Sequence, residues 1–406
     1  MISGGPASGS RARRALVFVE LGGLSAFGPL ATDLYLPALP AIGRDLHAGQ
    51  GLVQLTVSTS LVGLALGQLV VGPVSDNLGR RRPLFVGLVG FVVLSLVCAV
   101  APDIWLLTAA RLLQGTCGAA GLVIARAMVR DLFGPVGAGR VFAELTIVSG
   151  LAPIVAPLVG AQLLRVWAWP ALFVVLAVIG VALLVGGVAL PESHPAGARR
   201  SDGVRQTLRV GADLVRSRTF VGYALATGLG TAVLLTYISA SPYVLQRGHG
   251  ASAQAFSVVF AVNAVGIVVT GQVGGRLVRR VGSRRLLAVG QVVQAVGTAA
   301  LLAVALTGAH ALWALLLPLF VVVACNGLVS PHGTALALAP HADVAGSASA
   351  LVGAAQFLLA GLVSPLGGLG GTGSAVPMAL TMAVVAWLSL LIGRRLTRPA
   401  AFTPAG

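Results

Sequence analysis

The chain has 406 residues, 57% of them hydrophobic and 9% charged, with a mean hydropathy of +0.95. Soluble domains carry about a quarter charged residues, which excludes an ordinary water-soluble fold. The net charge of +16 rests on arginine alone, for no lysine stands among the 27 basic residues. On a water-facing domain that balance points to nucleic acid, but these arginines punctuate apolar stretches, and nucleic-acid binding is not expected.

A helix crosses a bilayer with about 20 mainly apolar residues. The first such stretch lies near 15–37, behind Arg11, Arg13 and Arg14. That opening imitates a secretory signal, yet no small-residue cleavage site closes it, and it is read as an uncleaved first span. Glu20 sits toward its start, Asp33 about four residues from its end and Tyr35 beyond Asp33. The second stretch, near 51–73, leads into "GPVSDNLGRRRPL" at 72–84. There Gly72, Pro73 and Gly79 suit a tight reversal, and Asp76 precedes Arg80, Arg81 and Arg82. Spans three and four follow near 83–101 and 104–126, the fourth holding Arg111 and Gln114 and ending with Arg126 and Arg130. Span five, near 140–163, carries Glu144 and then Gly150, Pro153, Pro157 and Gly160. Its prolines remove backbone donors and bend the helix, and its small residues allow close approach, as a hinge between halves requires. A purely packing role is the alternative. Span six lies near 168–190.

The one long polar segment, 191–218, separates these six spans from six more, near 219–244, 254–274, 286–307, 311–334, 345–368 and 375–393. The expected architecture is an all-α integral membrane protein of twelve transmembrane helices in two pseudo-symmetric halves. Residues 1–190 form the N-terminal half, 191–218 a cytoplasmic linker and 219–406 the C-terminal half. A repeat supports the division: "GRLVRRVGSRRLL" at 275 aligns with the segment at 72, matching Gly79 to Gly282 and Arg81 and Arg82 to Arg284 and Arg285. Arg279 stands where Asp76 would recur. Internal duplication is a signature of secondary transporters, whose halves rock around a site near the bilayer midplane. Loop arginines concentrate at the termini and in the even-numbered loops, with only Arg44, Arg165 and Arg247 on the opposite side. Basic loops stay inside, so both termini are expected in the cytoplasm of a bacterial inner membrane protein. Cys98, Cys117 and Cys325 lie in apolar stretches and read as small core residues. The scattered histidines offer neither a metal site nor a nucleophile–base arrangement, and no phosphate-binding lysine loop exists.

Several segments together carry a resemblance: "GPLATDLYLPALP" at 28–40, the loop at 72–84, "RLLQGTCGAAGLVIARAMVRD" at 111–131, "APIVAPLVGA" at 152–161 and "YISASPYVL" at 237–245. The sequence resembles the major facilitator superfamily, and within it the drug/proton antiporters of the bicyclomycin and chloramphenicol resistance type. The resemblance implies a rocker-type exporter whose loop between spans two and three helps lock the halves, with Asp76 facing the eleventh helix. It also implies coupling or substrate roles for Asp33 and Arg111. Ala156 departs from the exporter pattern, which has glycine there, and Arg279 departs from the loop pattern.

A charge near the bilayer centre costs about 2.5 to 3.5 kcal/mol on insertion scales, so such residues are paired or functional. Asp33 and Arg111 lie at similar depths and are expected to meet, as a proton-exchange pair or a static interhelical one. Glu20, Arg126, Arg130 and Glu144 share the cytoplasmic third, as a gate or as helix-end charges reaching the headgroups. Tyr35, Gln114, Tyr237, Asn263, Asn326 and Gln356 are candidates for cavity lining, or for interhelical hydrogen bonds. The function expected is proton-coupled export of small amphiphilic compounds by a monomer without cofactor or metal. A metabolite or nutrient importer of the same fold is the alternative, with a membrane-embedded enzyme or sensor further off.

Overall fold

The structure, a computed structural model, describes residues 11–195, 211–308, 312–369 and 373–396. Of the expected linker, residues 196–210 lie outside the described residues. The chain is all helix: α1 (Arg11–Asp33), α2 (Gln50–Leu78), α3 (Arg81–Ala99), α4 (Ile104–Gly134), α5 (Val148–Leu163) and α6 (Pro170–Gly187), then α7 (Arg218–Tyr243), α8 (Ala253–Val281), α9 (Ser283–Leu306), α10 (Leu312–His341), α11 (Ala345–Val363) and α12 (Ala375–Leu396). Ten of these, α2 to α4 and α6 to α12, are long and apolar enough to cross a bilayer; α1, with Glu20 inside it, and the shorter α5 complete the twelve. α7 is the most enclosed, with 83% of its apolar window buried against 39% in α3, α6 and α9. The outward faces of those three are themselves apolar, with Val86, Val178 and Val296 exposed, as a lipid solvent requires.

The helices overrun the apolar stretches at the arginine-rich loops. Gly72, Pro73 and Asp76 belong to α2, not to the reversal. Proline costs a helix only one hydrogen bond and a local bend when its own φ stays helical, so the helix continues to Leu78. The reversal is left to Gly79, whose φ of 86° is open to glycine and strained for other residues. Gly282, its counterpart between α8 and α9, has φ 81°, so the sequence repeat is also a backbone repeat. In α5 the backbone stays helical through Pro153 and Pro157, and the break falls earlier, at Gly134 (φ 64°). α10 is interrupted at Cys325.

The two halves are stitched on the face opposite the arginine-rich loops. After α1 the chain makes a 3-10 turn (Leu36–Ala38) and a short helix (Leu39–Asp45). Three side chains at the end of α7 donate to carbonyls there: Tyr243 Oη to Leu39 at 2.9 Å, Gln246 Nε2 to Pro37 at 3.1 Å and Arg247 Nη2 to Pro40 at 3.3 Å. From α8, Gln254 Nε2 donates to Ala161 O at 3.0 Å and Ser257 Oγ to Pro157 O at 2.9 Å. Ser58 of α2 meets Ser364, just past α11, at 2.9 Å.

Candidate functional site

Arg111 is wholly buried in α4. Its Nη1 donates to Gln114 Oε1 at 2.5 Å and to Ala31 O at 3.3 Å. Gln114 Nε2 in turn donates to Ser95 Oγ at 2.6 Å, and Ser95 to Phe91 O at 2.7 Å. The Tyr35 ring lies 4.3 Å from the guanidinium carbon and that of Phe173 5.8 Å, a stacking arrangement that suits a planar cation. Tyr35 Oη bonds Thr56 at 3.2 Å, and the Thr56 proton goes to Val53 O at 2.7 Å. Tyr35 and Gln114 are therefore parts of the arginine's setting in the N-terminal half.

Asp33 is also buried, yet no ion pair joins it to Arg111 among the described residues. Its electrostatic neighbour is Tyr237 of α7, whose hydroxyl accepts from Asn263 Nδ2 of α8 at 2.8 Å. The carboxylate is thus coupled electrostatically to the other half, while the hydrogen bonds of the guanidinium stay within one. The expected meeting of Asp33 and Arg111 does not occur in this state. Depth along a helix says nothing of the direction in which a side chain leaves it.

The loop between α2 and α3 builds a second charged cluster. Arg80, 6% exposed, donates through Nη1 to Asp76 Oδ1 at 2.5 Å and to Ser75 Oγ at 2.8 Å, and through Nε to Asp131 Oδ2 at 2.9 Å. Burial by itself lowers the Arg80 pKa, but hydrogen bonds and charge from Asp131 and Asp76 more than offset it, leaving the pKa above its ordinary value. Asp76 stays half exposed, and among the described residues it makes no bond to α11. Sequence reasoning missed Glu192, which begins the linker. Its carboxylate accepts from the backbone N–H groups of Arg80 at 2.8 Å and Arg81 at 3.2 Å, filling donors that open α3, as an anion at a helix N-terminus should. Arg81 also donates to Val188 O at 3.1 Å and sits over Phe85, whereas Arg82 is exposed.

The four gate candidates are spread over different elements. Glu20 is buried against Gly186 and Gly187 of α6. Arg126 is exposed, and Arg130 lies beside Gly346 at the start of α11. Glu144 lies in the helix between Gly134 and α5. Of the hinge candidates, Gly150 faces Val268 of the other half, and Gly160 packs on the Leu34 backbone so closely that a Cβ would collide with its carbonyl. Pro157 accepts the bond from Ser257, and Pro153 lies one turn earlier on the same helix. In the C-terminal half Gln356 reaches Thr334 at 3.4 Å and Ser330 at 3.5 Å, and Asn326 is buried with its Oδ1 unpartnered among the described residues.

A family model described as Major Facilitator Superfamily matches residues 21–365. The chain belongs to the major facilitator superfamily. Superfamily relatives include the uncharacterized MFS-type transporter YdgK of Bacillus subtilis, 38% identical over 95% of this chain and 96% of the relative. The bicyclomycin resistance protein homolog of Haemophilus influenzae is 28% identical over 93% and 94%. The multidrug resistance protein MdtL of Escherichia coli is 29% identical over 81% and 82%. Among solved superfamily structures, a D-xylose-proton symporter superposes with a TM-score of 0.74 at 17% identity, covering 96% of this chain and 98% of its own. The nucleoside transporter NupG does so with a TM-score of 0.74 at 12% identity, covering 94% and 98%. These last two share the fold.

Proposed function

We propose that the protein exports small amphiphilic compounds in exchange for protons, by alternating access, as a monomer in a bacterial cell membrane. The observation that carries the reading is Asp33: a buried carboxylate with no cation paired to it among the described residues, and electrostatically coupled to Tyr237 of the other half. A carboxylate within a span is costly unless compensated, and one at a moving junction meets different surroundings in the two states, which is what proton uptake and release require. The names of the relatives, bicyclomycin resistance protein homolog and multidrug resistance protein, support export of drug-like compounds.

The arginine bias assigns the arginine-rich face to the cytoplasm, with residues 1–190 and 219–406 as the rocking halves and 191–218 as their link. The stitched face is then the outer one, and the state described here is closed outward. In proteoliposomes loaded with a drug panel, an imposed proton gradient should drive export against the drug gradient, and a pump-deficient host expressing the protein should gain tolerance to the same compounds. Proton-driven uptake in the opposite direction would make it an importer, and gradient-independent movement would remove the proton.

A further inference from the structure

Arg111 presents an imbalance that neither the fold nor the proposed transport resolves. A guanidinium has five N–H donors. In this site Nη1 uses its two on Gln114 and Ala31, while Nε and Nη2 are buried without a hydrogen-bond partner of good geometry among the described residues, the neutral Tyr35 hydroxyl being electrostatically coupled to the group. None of the atoms that touch the group carries a formal negative charge: two are neutral oxygens and two are aromatic rings. Asp33, the nearest carboxylate in sequence to the Ala31 contact, forms no ion pair with it. A charge taken out of water demands a counter-charge as well as hydrogen bonds.

Space for one lies beside it. A small cavity in the N-terminal half is lined by Arg111, Gly28, Thr32, Ser60 and Gly115, with room of about 10 Å³ for the centre of a water-sized sphere. That is about the room of a single atom-sized guest. Ser60 on its wall has a hydroxyl proton taken up by no acceptor among the described residues, whereas the Thr32 proton is spent on Gly28 O. Among the described residues the site therefore combines a fixed positive charge, the unpaired Nε and Nη2 groups of Arg111, the Ser60 hydroxyl on the cavity wall and space for one ion.

We infer that Arg111 and Ser60 hold a monatomic halide, chloride, as the counter-ion of the buried guanidinium. A polyatomic carboxylate or phosphate exceeds the cavity. A water molecule would fill it but leave the charge uncompensated. The inference does not depend on the transport reading, since it concerns occupancy at rest.

The test uses the purified full-length protein, exchanged into sodium gluconate and titrated with sodium chloride at constant ionic strength. Chloride should raise Tm in a saturable way, by about 2 °C or more, because a ligand bound only by the folded state stabilises it. The Arg111→Gln and Ser60→Ala variants should lose or weaken that response. Equal Tm at every chloride fraction, or an undiminished rise in Arg111→Gln, overturns the proposal. Should Arg111→Gln not fold, crystals of the unmodified protein grown in sodium bromide decide the matter. Anomalous density between Arg111 Nε, Nη2 and Ser60 Oγ supports it, and bromide found only elsewhere, or nowhere, overturns it.

Discussion

At the scale of single residues, the proposed transport gives Arg111 the fixed charge and Asp33 the variable one. Arg111 is clamped by Gln114, Ala31 and the Tyr35 ring, and a lysine cannot reproduce a planar, stacked fork. Arg111→Lys should therefore cut drug efflux at least tenfold with membrane abundance unchanged, as measured by transport in vesicles beside an immunoblot; efflux at the unmodified rate would remove Arg111 from the coupling site. Asp33→Asn keeps size and hydrogen bonding but cannot titrate. It should abolish efflux driven by a pH gradient while equilibrium binding of a neutral ligand to the purified variant persists. Uphill efflux by Asp33→Asn that collapses with the gradient would pass the proton role to Glu20 or Glu144. Both residues were legible in sequence because a charge inside an apolar stretch is conspicuous. Their separation was not, because spacing gives height along a helix while the direction of a side chain depends on packing from distant elements. Glu192 was invisible for the opposite reason: it stands at the edge of a polar segment, where a carboxylate attracts no notice, and its partners at the start of α3, Arg80 and Arg81, lie more than a hundred residues away.

Among the elements, the loops after α2 and α8 were the most readable. A glycine followed by arginines at the same offsets in both halves marked a tight reversal, and Gly79 and Gly282 make it with positive φ. Each should resist a Cβ. Alanine in the left-handed region costs about 1–2 kcal/mol, so Gly79→Ala and Gly282→Ala should each lower Tm by several degrees. Gly72→Ala, in helical backbone with open space around it, should not lower it; equal losses at all three positions would contradict the backbone reading. Less readable was where a helix ends inside an apolar run. The prolines of span five point in sequence to a bend, yet the backbone stays helical through Pro153 and Pro157, and the non-helical residue, Gly134, falls between the expected spans four and five. The cap supplied by Glu192 offers a direct measurement: Glu192→Gln removes the charge at the start of α3 and should slow transport of every substrate by a similar factor. Selective loss of one compound would mean that Glu192 contacts cargo instead.

For the molecule as a whole, twelve spans, two halves and the family were evident from hydropathy, repeat and motif, since bilayer thickness and charge bias constrain them strongly. The conformational state was not, because the same sequence must support two. The closed face rests on five bonds from side chains of one half to carbonyls of the other, each worth about 0.5–1.5 kcal/mol. Removing two, in the double variant Tyr243→Phe with Arg247→Ala, should shift the population toward opening on that face by about tenfold. Spin labels at His47 and His249 report the separation, and an unchanged distance distribution would show that the bonds do not hold the face shut.

Those five bonds are also unequal in what mutation can do to them. Every donor is a side chain, replaceable by a single codon change, and every acceptor is a peptide oxygen that each of the twenty amino acids supplies alike. A population of variants selected for faster or slower turnover therefore has its direct adjustments at Tyr243, Gln246, Arg247, Gln254 and Ser257. The facing strip from Pro37 to Pro40 and at Pro157 and Ala161 can change its side chains without erasing an acceptor. For these five bonds, heritable adjustment of strength is lodged in the C-terminal half, and the N-terminal half is a surface it grips.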